Sequence, residues 1–238
     1  MFVERDFFVG LSDVGYENKL TNRSLLAYCE NVAGLHSDIA GYGLLDSSRT
    51  KKGWVLLNWK VKLFERPLYG TELKIRTWSK GSDKLYAYRD FEIMNKEGNV
   101  LGIVTSRWVL IDLEKKHFVK MTEIPLAEAY KQEDKSVFAI GFSKIVEPIN
   151  YIKNCEIQIT NDLIDSNEHV HNLYYINFAN QLIDIEEQIK CLNLEIMYKK
   201  EIKAGEIVKA FYVYEDKTHY VVIKTYDESS IHAMIKLY

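Results

Sequence analysis

Between Thr21 and Gly43 the apolar positions Leu25, Cys29, Val32, Leu35 and Ile39 recur every three or four residues behind a Thr/Asn cap, which predicts one long helix ended by glycines 41 and 43. From Trp54 to Asp112 the pattern changes to that of strands, alternating in NWKVKLF and β-rich in TELKIRTW. NWKVKLF, TELKIRTW, KLYAYRDFEIM and NVLGIVTSRWVLID, separated by RPLYG and NKEGN, predict about four antiparallel strands. Glu114 to Asn150, with Pro125, Pro148 and the charged run KQEDK, reads as a connector. Then the order returns. After a strand around NCEIQIT, Asn172 is placed to cap a second helix with an apolar stripe of Tyr175, Phe178, Leu182 and Ile185, and CLNLEIMYKKEI, EIVKAFYVYE, HYVVIKTY and IHAMIKLY read as strands.

The two halves can be laid over one another. LLNWKVKLFERPLYGTEL matches CLNLEIMYKKEIKAGEIV, with Leu57-Asn58 over Leu192-Asn193 and Gly70 over Gly205. A long helix followed by a meander of strands, given twice, predicts an α+β protein of two helix-plus-antiparallel-sheet repeats whose sheets join into one.

Composition narrows the partners. The 238 residues are 47% hydrophobic, enough for a substantial core, and carry 31 basic against 34 acidic residues, a formal charge of -3. That balance argues against nucleic acid as a partner. Glu4, Arg5 and Asp6 interrupt the apolar core a signal peptide needs, and no apolar run approaches membrane-spanning length, so a cytoplasmic chain with no membrane partner is expected. Cys29, Cys155 and Cys191 are widely spaced without a CxxC pair and are expected as reduced thiols. His117, His219 and His232 lack paired ligand spacing, and no metal site is expected.

One stretch carries more polar groups than a helix start needs. DSNEHVHNLYY, from Asp165, has one Asp, one Glu, two Asn and two His ahead of an apolar segment, whereas a single cap such as Asn172 suffices for the free amides. In an extended segment Asp165, Asn167 and His169 share one side. Locally the same residues also read as an ordinary Asx turn and a half-buried histidine, and His171 as either a second cap or a site residue.

The stretch resembles the central motif of the acyl-(acyl carrier protein) thioesterases, approximately D-x-N-x-H-V-N-N-x-x-Y. RPLYGTELKIRTW, YRDFEI, VTSRWVLID and YKKEI are similar to the same family in the same order, so the resemblance covers nearly the whole chain. It implies a tandem hotdog fold, with an N-terminal, acyl-chain-binding hotdog over residues 1–130, a linker over 131–150 and a catalytic hotdog over 151–238. It implies hydrolysis of the thioester of a fatty acyl carrier protein, with Asp165, His169 and Glu201 as the catalytic set and Asn167 orienting a carboxylate or a water. No cofactor is implied, since the substrate brings its own phosphopantetheine.

Whether Asp165 attacks the thioester or His169 and Glu201 activate water cannot be read from spacing; both suit an activated carbonyl. His171 stands where the family has Asn. After Glu201, where plant members often carry Cys, stands Ile202, so the resemblance gives no thiol nucleophile. With Asn22 laid over Asn172, Gly15, Glu17 and Lys19 fall where Asp165, Asn167 and His169 stand, so the first half is expected to hold the acyl chain instead. The tunnel is expected around Leu25, Val32, Leu35, Trp54, Leu56 and Trp59, with Asn172 near the reacting end.

An acidic carrier protein needs a basic face, and two clusters offer one: Lys199, Lys200 and Lys203 around Glu201, and Arg49, Lys51 and Lys52. A monomer or a homodimer fits, because a tandem repeat supplies internally the pairing of single hotdogs. The alternatives are a coenzyme A thioesterase of the same fold and a non-catalytic acyl-binding or dehydratase-type hotdog.

Overall fold

The computed structural model describes residues 1–238. The first half runs β1 (Val3–Phe8), α1 (Asn22–Ile39), β2 (Lys52–Leu63), β3 (Glu72–Ser82), β4 (Tyr86–Asn95) and β5 (Val100–Asp112), with the short β6 (His117–Val119) folded back on the end of β5. The second runs β7 (Lys153–Gln158), α2 (Tyr174–Asn180), α3 (Ile185–Lys190), β8 (Asn193–Tyr198), β9 (Ile207–Glu215), β10 (Thr218–Thr225) and β11 (Ile231–Leu237). Strand β1 falls in a stretch whose charges hide its alternation. It is an edge strand, and Glu4 and Asp6 meet Lys74 and Arg76 of β3 there, a charged edge that discourages pairing with other chains.

The sheet is continuous, in the order β1-β3-β4-β5-β2-β8-β11-β10-β9-β7. From its centre outward, β2-β5-β4-β3-β1 and β8-β11-β10-β9-β7 are the same meander, so the internal repeat is a structural one. The halves join where β2 pairs antiparallel with β8, Asn58 opposite Met197 through Lys62 opposite Asn193. Gly70 and Gly205, aligned in sequence, both take the left-handed backbone that favours glycine, at φ 83° and 80°.

Helix α1 forms as its spacing predicts. Thr21 caps it, the hydroxyl accepting from the Ser24 amide at 3.1 Å, and Leu25, Leu26, Cys29 and Val32 are buried against the sheet. Burying each Leu or Val contributes about 1.5–3 kcal/mol. These residues belong to one core of 42 buried residues that spans both halves.

The second helix departs from expectation. It breaks after seven residues, and a separate α3 starts at Ile185 with Asp184 at its cap position and Glu186 and Glu187 in its first turn. Acidic groups at that point favour a new N-terminus over continuation. Tyr175, Phe178 and Leu182 are buried as predicted, but Ile185 is exposed. Nor does Asn172 cap: Leu173 holds the cap position without a side-chain bond, and the Leu173 amide donates instead to Nδ1 of His171 at 3.3 Å. A tight turn, with the Tyr174 amide on the His171 carbonyl, delays the helix past Asn172.

The connector is structured. Val119, Met121, Leu126 and Tyr130 form a satellite core with Leu110, and the chain then crosses the sheet, taking the Trp78 indole N–H on the Lys135 carbonyl and giving the Val137 amide to Asp90.

Candidate active site

Ile164 and Val170 pair as an isolated antiparallel bridge, making Asp165 to His169 a tight hairpin tip with Glu168 left-handed at φ 64°. The Asp165 amide donates to the His169 carbonyl at 2.8 Å, and Oδ1 of Asp165 accepts from the amides of Asn167 (2.8 Å) and His169 (3.3 Å). The Asx turn is therefore real, and it uses one carboxylate oxygen only. The Asn167 side chain is exposed and hydrogen-bonds to none of Asp165, His169 and Glu201. In the first half the matching bridge is Val14 to Leu20, with Glu17 and Asn18 left-handed, so the backbone of the tip is repeated while its side chains are not.

Glu201 reaches the tip from β8. The expected strand through Glu201 ends at Tyr198, where the Lys199 and Lys200 amides both bond the His232 carbonyl (2.8 and 3.2 Å). Two successive amides on one carbonyl mark a bulge, which turns the strand and re-aims the side chains beyond it. His169 then bridges Lys203, and His169 Nε2 lies 3.4 Å from Glu201 Oε1. The first half has the same bulge, Phe64 and Glu65 on Leu101, which puts Arg66 in the place of Glu201 and Lys19, bridged to Leu68, in the place of His169. Arg66 is buried and donates to the carbonyls of Leu20 (2.8 Å) and Cys191 (2.7 Å) and to Asn22 Oδ1 (3.1 Å), stitching the halves together.

The first half also contributes a group that sequence reading missed. Glu30, on α1, places Oε2 3.6 Å from Nε2 of His171. Burial, reinforced by the negative charge of Asp165, pushes its carboxyl up to about 8. Burial also lowers His171, with Asp165 opposing and Arg23 adding to the shift. The sequence signal was a carboxylate on an apolar stripe: Leu26 and Ala33, four residues before and three after Glu30, are both buried. Tyr198, buried beside Glu30, donates its hydroxyl to the Asn172 carbonyl at 3.0 Å, so Asn172 takes part through its backbone.

Of the expected tunnel residues, Leu25, Val32, Leu56 and Trp59 lie in the main core and Leu35 packs against it, whereas Trp54 belongs to the satellite core, with its indole N–H on the Tyr130 hydroxyl at 3.0 Å. Burial raises all three thiols, Cys29, Cys155 and Cys191, and so disfavours the reactive thiolate. Beside the tip is a surface cleft of about 490 Å³ lined by Asn161, Ile164, Glu168, Lys203 and Ala204.

Known proteins share this fold. A crystal structure of an acyl-ACP thioesterase from Bacteroides thetaiotaomicron superposes with a TM-score of 0.88 at 21% identity, covering 99% of this chain and 96% of that one. The 12:0-ACP thioesterase from Umbellularia californica gives 0.84 at 16% identity, over 99% and 96%. Such identities speak for the fold. Oleoyl-acyl carrier protein thioesterase 2, chloroplastic, from Arabidopsis thaliana is 21% identical over 225 residues, 87% of this chain, and the chain spans 60% of that relative's length. The profile of the acyl-ACP thioesterase N-terminal domain matches residues 2–128 and that of the C-terminal domain residues 148–236. With both domain profiles matched in order along a tandem-repeat sheet, the chain belongs to the acyl-ACP thioesterase family.

Proposed function

We propose that the chain hydrolyses the thioester of a fatty acyl carrier protein, releasing the free acid, with Asp165, His169 and Glu201 as the reacting groups. The observation that carries this reading is the asymmetry of the repeat: one backbone tip is built twice, and only the second carries a carboxylate at its first position together with a histidine–carboxylate pair, where the first has Gly15, Lys19 and Arg66.

The Asx turn holds Asp165 through Oδ1, which leaves Oδ2 to attack the thioester carbon. The C–S bond breaks, the thiolate takes a proton from His169, and an acyl–Asp165 anhydride remains. Glu201, facing His169 Nε2, leaves Nδ1 to accept the proton of a water that attacks the anhydride; the acid departs and Asp165 is restored. The 3.4 Å separation shortens to a hydrogen bond when substrate excludes solvent.

The Lys199, Lys200 and Lys203 face is the better dock for an acidic carrier. Arg49 and Lys51 are neutralised by Asp46 (2.7 Å) and Glu114 (3.5 Å), while the three lysines around Glu201 pair with no carboxylate. The cleft lined by Lys203 suits the polar pantetheine arm.

Asp165→Asn keeps the turn acceptor but loses the nucleophile, so turnover should fall roughly 10² to 10⁴-fold with the circular dichroism unchanged. In Glu201→Gln, rapid quench should show about one equivalent of thiol per enzyme ahead of the acid. Full activity in Asp165→Asn sinks the site; thiol and acid rising together in Glu201→Gln sinks the anhydride.

A further inference from the structure

Taking the hydrolytic reading of the 165–173 tip as its basis, we propose that Glu30 of the first half is a positioning residue for that site, acting through His171. The contact crosses the repeat: Glu30 stands on α1, and His171 follows the catalytic tip, with Oε2 and Nε2 3.6 Å apart. Nothing in the hydrolytic steps uses either residue.

The hydrogen-bond pattern fixes what the pair does. Nδ1 of His171 accepts the Leu173 amide, so the neutral ring carries its proton on Nε2, facing Glu30. The His171 amide donates to the Leu163 carbonyl at 3.0 Å, and its own carbonyl accepts from Tyr174 at 2.9 Å. His171 thus ties together the 3-10 turn that enters the tip and the turn that leaves it, and faces the helix of the other half at Glu30. At 3.6 Å the two groups face one another just beyond hydrogen-bond length, and a neutral carboxyl that closed the gap would accept the Nε2 proton through its carbonyl oxygen and add no charge beside Asp165.

Ionisation changes the picture. The charged and titratable groups around the Glu30–His171 pair are Asp165 on the tip, Tyr198 on β8, Cys29 beside Glu30 on α1, and Arg23 of α1 near His171, with Tyr175 beyond Tyr198. Of these only Arg23 is a fixed cation. It lies 5.1 Å from the centroid of the Tyr174 ring, and its effect is registered on His171. A Glu30 carboxylate would therefore add a second negative charge next to the proposed nucleophile and pull the His171 ring toward α1. Turnover should fall as Glu30 ionises, near pH 8.

The test is a pH profile of kcat/KM and kcat from pH 6 to 10 on a long-chain acyl carrier protein, for the wild type, Glu30→Gln and Glu30→Leu, read beside the ring 15N shifts of His171 over the same range. The wild type should show an alkaline fall near pH 8 and a matching inflection at His171, and Glu30→Gln should abolish both. Glu30→Leu, which cannot hold His171, should lower kcat by roughly tenfold at every pH, with KM little changed. An alkaline fall and His171 inflection that persist in Glu30→Gln overturn the proposal. So does a Glu30→Leu enzyme that is folded and fully active. The histidine resonances report on the pair even if the wild type proves inactive on acyl carriers, and Asp165→Asn judges the hydrolytic reading separately.

Discussion

The buried ionisable groups pull stability in opposite directions with pH. Arg89 is buried in the first half and donates from Nη1 to Nδ1 of His36 at 2.8 Å and to Thr77 Oγ1 at 3.3 Å, beneath the Tyr130 ring. Burial, together with the Arg89 charge, pushes His36 down to about 3. Between its ordinary value of 6.5 and that point the unfolded chain binds the proton and the folded chain does not, so stability is lost as pH falls below 6.5, by up to about 1.4 kcal/mol per pH unit. Glu30 has the reverse sign. Its folded value lies above the unfolded 4.5, so its contribution is present in acid and is lost as pH rises toward 8. Urea unfolding of His36→Asn should show a flatter acid limb, and of Glu30→Gln a flatter decline between pH 5 and 8; wild-type slopes in both would refute these assignments. Asp165, His169 and Glu201 were nominated by stretches that resemble a family, and the structure brings His169 and Glu201 to 3.4 Å, whereas Glu30 was not nominated, since its partner lies 141 positions away and only the packing of two halves brings them together.

At the scale of elements, periodicity served where an element was long. The 18 residues of α1 give five turns of pattern, and β2 to β5 each run for ten or more residues rich in β-forming side chains. It failed where a break keeps phase. Leu182 and Ile185 stay at helical spacing across the turn between α2 and α3, so the apolar pattern alone cannot show the interruption, and the acidic start of α3 was the overlooked signal. The caps make the difference measurable. Thr21→Ala removes the acceptor of the Ser24 amide and should cost about 1 kcal/mol, whereas Asn172→Ala, whose side chain caps nothing, should cost far less in chemical denaturation. Equal losses would mean that Asn172 supports the second half through a contact other than a cap. The bulge that aims Glu201 lay outside sequence reach for a different reason: it is a register event against β11, visible only once His232 is seen to serve two amides.

For the whole molecule, the repeat gives two copies of one scaffold, and the substitutions between them suggest how the work is divided. Arg66, buried and bonded to three acceptors from both halves, braces the molecule at the place that Glu201 occupies in the other copy. The continuous core leaves α1 as the element that meets both the sheet of the first half and the tip of the second. If the first half holds the acyl chain, narrowing it beside α1 should change which chains are accepted, while damage to the thioester chemistry should not. Val32→Phe adds bulk to a fully buried position, at a cost of about 1–3 kcal/mol in stability, and should shift preference toward shorter chains. Each methylene excluded from an apolar tunnel removes about 0.8 kcal/mol of binding, so two correspond to roughly tenfold in relative specificity. Glu201→Gln should depress every chain length alike, because the thioester is common to all of them. The two variants are compared as ratios of kcat/KM across a panel of acyl carriers from short to long, which cancels any loss of folded enzyme. A uniform fall in Val32→Phe, or a changed length profile in Glu201→Gln, would show that chain and chemistry are not divided between the halves in this way.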